Sequence, residues 1–507
     1  MSVIAILHPA SLVGKELREG LESRMKEWRE VRLLSTDPEE VGTLTEVLGA
    51  AALVQRYEPE SLHNVSTVYF CGPIEKNRPV FDDVPAGAIT VVLSLDATPA
   101  DGEPVVAGVN SEVVRPGTRL LSPHPALVLL AHVLAPLRAF QPVDMVATLI
   151  QPASVQGDAG IQELFEQTRE IVAMIARTPT PVYGAQLSFN LLPTASETLP
   201  LSELLQKIVP ETPPIPLQVL QGGIFHGLAA SLYVRFGVTP NPKAILKALK
   251  ANPYIEIAKD PAHLGPIEKN RPIFDDVPPG AIVVVLSLDA TPADGVPVVA
   301  GVNSDVVRGG TRLLSPHPAL VLLAHVLAPL RSFQPVDMVA TLIQPASVQG
   351  DAGIQELFEQ TREIVAMIAR KPTPVYGTQL SFNLLPTSSE TLPLSELLQK
   401  IVPETPPIPL QVLQGGIFHG LAASLYVRFG GNPNPKAIHK ALKANPYIEI
   451  AKDPGHLGPI DSATSDKVIV GTVREDPAGG FWFWAVMDNL TRGMALNAIE
   501  VAEAVGG

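Results

Sequence analysis

"LLSPHPALVLLAHVLAPL" runs from Leu120 to Leu137, and the same eighteen letters return from Leu313 to Leu330. The stretch reads as the end of a strand, a Ser-Pro-His-Pro turn and an apolar helix, and its return points to internal repetition of the chain. On its N-terminal side, "GPIEKNRP" begins at Gly72 and again at Gly265, an offset of 193 residues (265 − 72). Residues 72–264 and 265–457 differ at only 14 positions, among them Ala86 against Pro279, Glu103 against Val296, and Leu246 against His439. "GPI" appears a third time at Gly458, after which the sequence departs. The chain is therefore a head (1–71), a block, its near-copy, and a tail (458–507). So long a period is not that of a solenoid. Removing one copy leaves 314 residues (507 − 193), the size of a two-domain α/β subunit.

Composition narrows the class. Hydrophobic residues make up 46% and charged residues 17% of 507, enough for large cores and several domains. A net charge of -14 with no basic stripe argues against nucleic acid as a partner, because phosphate binding needs clustered Lys and Arg. Apolar runs such as Ala126 to Leu137 fall well short of the ~20 residues of a membrane span. "MSVIAILHPAS" lacks a basic region ahead of its apolar residues and reads as a first strand, so the expected compartment is the cytoplasm. A single cysteine, Cys71, excludes an internal disulfide framework and a Cys-rich metal site, and no metal is expected.

The coarse structure is α/β followed by α+β. "SVIAIL" reads as a buried strand, Gly14 to Glu30 as an amphipathic helix, and "VRLLS", "STVYFCG" and "AITVVLSLD" as further strands, apolar throughout as parallel strands covered on both faces should be. This alternation predicts a doubly wound, Rossmann-like sheet over the first ~130 residues. After Pro136 the texture changes. "DMVATLIQPAS", "QLSFNLLP", "PLQVLQGGIFHG" and "AASLYVRFG" are strand-like, and Gly160 to Ala176 is one long helix. The expected domains are 1–133 (Rossmann-like), 134–264 (second-domain type), 265–326 (a partial repeat of 72–133), 327–457 (the second domain again) and 458–507 (a strand and helix that complete the fold). A head and a tail between them suffice for one complete dinucleotide-type domain.

The collinear series "PVVAGVN", "LLSPHPALVLLAHVLAPL", "ATLIQPASVQGDAGIQELFEQT", "QLSFNLLP", "GGIFHGLAASLYV", "VIVGTVRED" and "MDNLTRGMALNAIEVAE" resembles the aspartate-semialdehyde dehydrogenase family, closest to its Usg-like branch. The similarity covers the whole chain once one block is removed. It implies an N-terminal NADP-binding domain and a glyceraldehyde-3-phosphate-dehydrogenase-like catalytic and dimerisation domain, the latter present twice here. It also implies four chemical roles: a Cys nucleophile, a Gln that positions it, an Arg that clamps the substrate carboxylate, and a His acid/base.

Set on those motifs, this sequence departs from the family. The nucleophile position falls on Pro125 and Pro318, which have no nucleophilic side chain. The Gln is retained as Gln151 and Gln344. The Arg falls on Gln221 and Gln414, losing the charged bidentate fork. The His falls on Leu228 and Leu421, which cannot shuttle a proton. The Gly-x-x-Gly-x-x-Gly of the cofactor turn falls on His8, Ser11 and Gly14, so only Gly14 remains for close helix–strand packing. Asp488, Asn489, Gly493 and Asn497 keep the tail pattern that in the family packs against NADP.

Other conspicuous residues have plainer readings. Cys71 in "VYFCG" is a small buried hydrophobe before it is a replacement nucleophile. His124 and His317 are turn or helix-start histidines before they are bases or metal ligands, and the same holds for His226 and His419 beside glycine. "FDDVP" is a solvated acidic pair, and Trp482 and Trp484 alternate like one face of a strand. Two functions follow. One is a family member without chemistry, kept for binding and for self-association through its catalytic-type domains, within one chain or between two. The other is an active NADP-dependent aspartate-semialdehyde dehydrogenase. A third possibility is that the natural unit carries a single block.

Overall fold

The N-terminal apolar run forms β1 (Ser2–Leu7), with Ile4 to Leu7 fully buried. It pairs in parallel with β2 (Trp28–Ser35) and β3 (Thr67–Phe70), and β4 (Ile89–Val92) and β5 (Arg119–Leu121) continue the parallel ladder. Across the sheet the order is Gln55–Arg56, β2, β1, β3, β4, β5, Glu103–Pro104. The direction of winding reverses between β1 and β3, which is the switch point of a Rossmann-like sheet. In this computed structural model the described residues are 2–22, 28–94, 96–115, 117–175, 180–194, 201–255, 257, 283–285, 295–307, 312–368, 373–387, 394–431 and 433–504. The expected helix from Gly14 to Glu30 is shorter: α1 spans Leu12–Glu22, and Trp28 to Glu30 belong to β2. Pairing along the whole edge of β1 outweighs the local helical pattern there. Residues 23–27 of that expected helix, and the second "GPIEKNRP" at 265–272, lie outside the described residues.

Each block then builds the same unit. In the first, α2 (Pro125–Leu137) leads to β6 (Pro142–Gln151), α3 (Gly157–Ala173), β7 (Leu217–Gly222), β8 (Ala229–Phe236) and α4 (Pro242–Ala251). β6 pairs with β7 in parallel and with β8 antiparallel, and "QLSFNLLP" contributes only a short strand, Leu191–Pro193, on the far side of β7. In the second block α5 (Pro318–Leu327), β9 (Pro335–Gln344), α6 (Gly350–Val365), β10 (Leu410–Gly415), β11 (Leu421–Phe429) and α7 (Pro435–Ala444) repeat this unit.

The head and the tail do not meet in one unit. The head completes the Rossmann-like sheet of the first block. The tail strands β12 (Val468–Glu475) and β13 (Phe481–Met487) join the second, where β13 pairs antiparallel with β11 and enlarges that sheet to seven strands. The tail helix α8 (Asn497–Glu503) packs its Val501 on Val298, Ala300 and Leu313, beside the three-stranded sheet formed by Val283–Val285, Arg312–Leu314 and Val296–Pro297.

The two blocks face each other through contacts that come in pairs. Thr148 and Ser424 hydroxyls lie 2.9 Å apart, and Thr341 and Ser231 hydroxyls also 2.9 Å. Ser424 donates to Gln218, and Ser231 to Gln411. Phe189 packs on Phe418 and Phe225 on Phe382, both with ring centroids 4.5 Å apart. In every case the second contact is the first with its two partners exchanged by one repeat length, which is the signature of an isologous, two-fold interface. One cluster breaks the symmetry. Arg428 binds both carboxylate oxygens of Asp144, and Arg235 reaches Asp144 at 2.9 Å, whereas Asp337 receives Arg428 and Arg235 only at 3.4 and 3.5 Å. Asp144 is accordingly held below the usual carboxylate range despite burial, and burial raises Asp337.

The second block also buries a histidine without hydrogen-bond partners among the described residues. His325 of α5 is fully buried, neither ring nitrogen has a hydrogen bond, and the ring stacks on Tyr447 at 4.7 Å. Burial, reinforced by nearby Arg492, pushes its pKa down to about 3. A depressed folded-state pKa means that the unfolded chain takes up the proton first as pH falls below the ordinary histidine value of ~6.5. Stability is therefore whole above that pH and erodes between it and about 3, by at most ~1.4 kcal/mol per pH unit for this group. His325→Phe is expected to flatten that acid limb in denaturant melts collected from pH 7 to 4.

Candidate functional site

β5 ends at Leu121, and the turn Ser122-Pro123-His124 delivers the chain to α2, whose first residue is Pro125. Proline suits this place because its fixed φ and missing N–H match the first helical position. His124 is the N-cap: its Nδ1 accepts from the Ala126 amide at 3.2 Å, and His317 does the same for Ala319. Capping requires an unprotonated Nδ1. Burial lowers both histidines, His317 to about 4, so both are in the form that caps. The turn therefore presents a proline ring and a capped helix end.

Gln151 and Gln221 stand opposite each other at the ends of β6 and β7. Gln151 donates to Oε1 of Gln221 at 3.1 Å, and Gln221 donates back to the Gln151 carbonyl oxygen at 3.1 Å. Gln344 and Gln414 repeat the arrangement at 3.2 and 3.1 Å. All four are buried, and their amides are spent on one another; a neutral amide pair offers no charge to clamp a carboxylate. Leu228 and Leu421 follow the positive-φ glycines Gly227 and Gly420; Leu421 is fully buried in the core of the second block. His226 and His419 are exposed on the same turns.

The tail residues reach one copy of this site. Asn489, fully buried, bonds to Ser347 and accepts from the Gly420 amide at 3.2 Å. Gly493 lies so close to Pro318 that a Cβ on it would come within 2.8 Å of the proline ring. Asn497 accepts from the Ala300 amide at 2.9 Å and donates to Val298 and Ser315. Pro318 is buried beneath this cover, while Pro125 is exposed. Ser11 and Gly14 sit at the head, so the two groups of residues expected around one cofactor are placed on different sheets. β13 pairs with β11 and not with β8, and that separates them.

At the head the cofactor turn is self-contained. His8, with a positive φ of 54°, is almost fully buried and bonds to the Ser35 and Thr36 hydroxyls, both at 3.1 Å. Its Cβ would lie 3.0 Å from a side chain on Gly72 at the end of β3. Ser11 accepts from the Gly14 amide at 3.2 Å, using a helix-start N–H that phosphate binding would need. Gly14 retains its packing role, since a Cβ there would meet His8 and Pro9 backbone at 2.8 Å. An imidazole thus fills the space at the switch point, and the Ser11 hydroxyl occupies one helix-start amide. Cys71, fully buried beside this turn, has its thiol pushed up to about 12 by burial, the opposite of an activated nucleophile. Among the described residues there is no group of acidic, His or Cys side chains that could hold a metal, and no helix long and apolar enough to cross a membrane.

Comparison with known proteins places the chain. The semialdehyde dehydrogenase dimerisation domain matches residues 327–492, the later part of the second block with the tail strands that enlarge its sheet. A USG-1 protein homolog of Azotobacter vinelandii is 33% identical over 247 residues, covering 44% of this chain and 71% of that protein. This chain belongs to the aspartate-semialdehyde dehydrogenase family, in its USG-1-like branch. An aspartate-semialdehyde dehydrogenase of Rickettsia bellii is 27% identical over 204 residues, covering 37% of this chain and 60% of that protein. A solved probable aspartate-semialdehyde dehydrogenase of Pseudomonas aeruginosa aligns over 99% of this chain and 97% of its own at 16% identity and a TM-score of 0.36. The Asp144, Arg235, Asp337 and Arg428 cluster is not among the residues the sequence singles out, nor is the buried Arg492, which pairs with both carboxylate oxygens of Glu500 at 2.9 and 2.6 Å. The signal for the first was in the sequence: an Asp and an Arg that recur together one repeat later.

Proposed function

We propose that this family member does not run the dehydrogenase reaction and serves as a binding and self-association protein, its two catalytic-type blocks paired within one chain. The reading rests on the proline at the first helical position of α2 and of α5, where a thiol must stand for acyl transfer. The mutual amide pairing of Gln151 with Gln221 supports it, because the retained glutamine is committed to a neighbour. We read the cofactor end as closed by His8, and NADP as not bound. We read the chain as a Rossmann-like domain (1–133), a catalytic-type domain (134–264), a partial Rossmann-like segment (265–326), a second catalytic-type domain (327–457) and a completing tail (458–507), working in the cytoplasm. Linking the two catalytic-type blocks gives them a high mutual effective concentration, ~mM for short linkers.

Phosphate-dependent NADP reduction with aspartate semialdehyde is expected to stay at background, a loss on the order of 10⁶-fold relative to an enzyme with its nucleophile; turnover above background overturns the reading. Titration of the chain with NADPH, followed by nicotinamide fluorescence, is expected to show no saturation. The native particle is expected to have the mass of one chain, whereas a two-chain particle held by the block faces would refute internal pairing.

A further inference from the structure

We infer that the first block is a strand acceptor: the open edge of β8, roofed by α2 and α4, takes an extended segment of a different polypeptide. The protein supplies its own comparison, because the same acceptor occurs twice with almost the same sequence and is filled once. In the second block β11 is paired along Leu421–Val427 with β13, and Phe481, Phe483, Ala485 and Met487 of β13 belong to the same core as α5 and α7. In the first block β8 is the last strand of its sheet among the described residues.

Burial follows that difference. The ten letters "PALVLLAHVL" are buried at every position in α5, whereas in α2 Pro125, Val128, Leu129, His132 and Val133 remain accessible. A helix apolar on all sides is at home only when covered on all sides, and α2 is not. Ile438 and Leu442 of α7 are fully buried, while α4, with Ile245 and Leu249 at the same places, has no buried residue. Between these elements lies a cleft of about 390 Å³ lined by Leu129, Val133, Leu232, Val234, Phe236 and Ile245. Each of the first four has a counterpart one repeat later, Leu322, Val326, Leu425 and Val427, buried in the core with β13.

The filled site states the chemistry of the missing occupant. It is a strand running antiparallel to β8, uncharged over about seven residues, with apolar side chains at alternate positions facing α2, in the order of Phe481, Phe483, Ala485 and Met487 in the filled site. Main-chain hydrogen bonds to the free edge supply affinity and the alternate pockets supply selectivity, as in other strand-addition complexes. The tail of a second copy does not meet the need. Each chain carries two acceptors and one tail, so exchanging tails only moves the vacancy. The occupant is therefore a strand of another protein that resembles Phe481–Met487. The inference rests on the geometry of the first block and stands whether or not the chain turns over an aldehyde.

The probe is a labelled synthetic hairpin of residues Ser465–Asp488, titrated into the full chain. Saturable binding of one peptide per chain is expected, with new hydrogen-exchange protection over 229–236 and α2 and none over 421–429. Leu129→Glu places a charge in the cleft and should weaken binding by about tenfold or more. Absence of saturable binding overturns the inference, and so does protection that appears at β11 through displacement of the chain's own tail. If Leu129→Glu lowers the melting temperature, the exchange map of the unmutated chain decides alone.

Discussion

Arg428→Leu is expected to cost the fold about 1–3 kcal/mol, because it takes from the buried carboxylate of Asp144 the guanidinium that grips both its oxygens and leaves it Arg235 alone. The cluster makes a sharper forecast through its two acids. Asp144 has a lowered pKa, so its ionised form stabilises the fold above the ordinary carboxylate value near ~4, and that contribution is lost as pH falls from there through the lowered folded value. Asp337 has a raised pKa, so its share runs the other way: keeping the proton favours the fold, and stability is lost as pH rises through the folded value. Asp144→Asn should therefore destabilise at pH 7 while Asp337→Asn is neutral or stabilising, although the two residues are equivalent in the repeat. Urea melts of the three variants at pH 7 check this. Equal losses from both Asn variants would mean that the two arginines are shared evenly, contrary to the distances.

Trp484→Ala is the second large effect, about 3–5 kcal/mol from lost burial and an unfilled cavity. Trp484 is fully buried on β13, and its indole N–H donates to the Leu457 carbonyl oxygen at 2.8 Å. Its cluster joins three parts of the chain: Ile150, Leu220 and Ile224 of the first block, Ile343, Leu413 and Ile417 of the second, and Ile469 and Val486 of the tail. The substitution thus loosens both the tail on its acceptor and the contact between blocks. The expected signature, beyond the loss in chemical denaturation, is faster hydrogen exchange at β11 and at the Thr148 to Ser424 contact together. A loss confined to the tail would show that the block interface stands without it.

Much of the fold is legible in the residues themselves. β1, β3 and the strands of the second-domain type announce themselves by continuous apolar runs, and the proline at the head of α2 and α5 is legible because its ring admits one local geometry. The helix expected through Glu30 failed at its end, because a strand paired along all of β1 gains more than a local periodicity offers. "QLSFNLLP" shrank to three paired residues, since its first half turns to place Phe189 and Leu187 in packing contacts instead of in a ladder. The interface cluster escaped notice because a lone Asp and a lone Arg in a strand look like surface residues until a second sheet is laid on them.

That one block occurs twice, and which family it belongs to, both follow from residue identity and order. The destination of the tail does not, since β8 and β11 offer it nearly the same residues. The strand pairing of β13 with β11 settles it. Ten residues, 458–467, separate the end of the second block at Leu457 from the start of β12 at Val468, so the tail meets the adjacent acceptor at far higher effective concentration than the distant one. The same tether buries Pro318 and leaves Pro125 exposed, giving one sequence two environments.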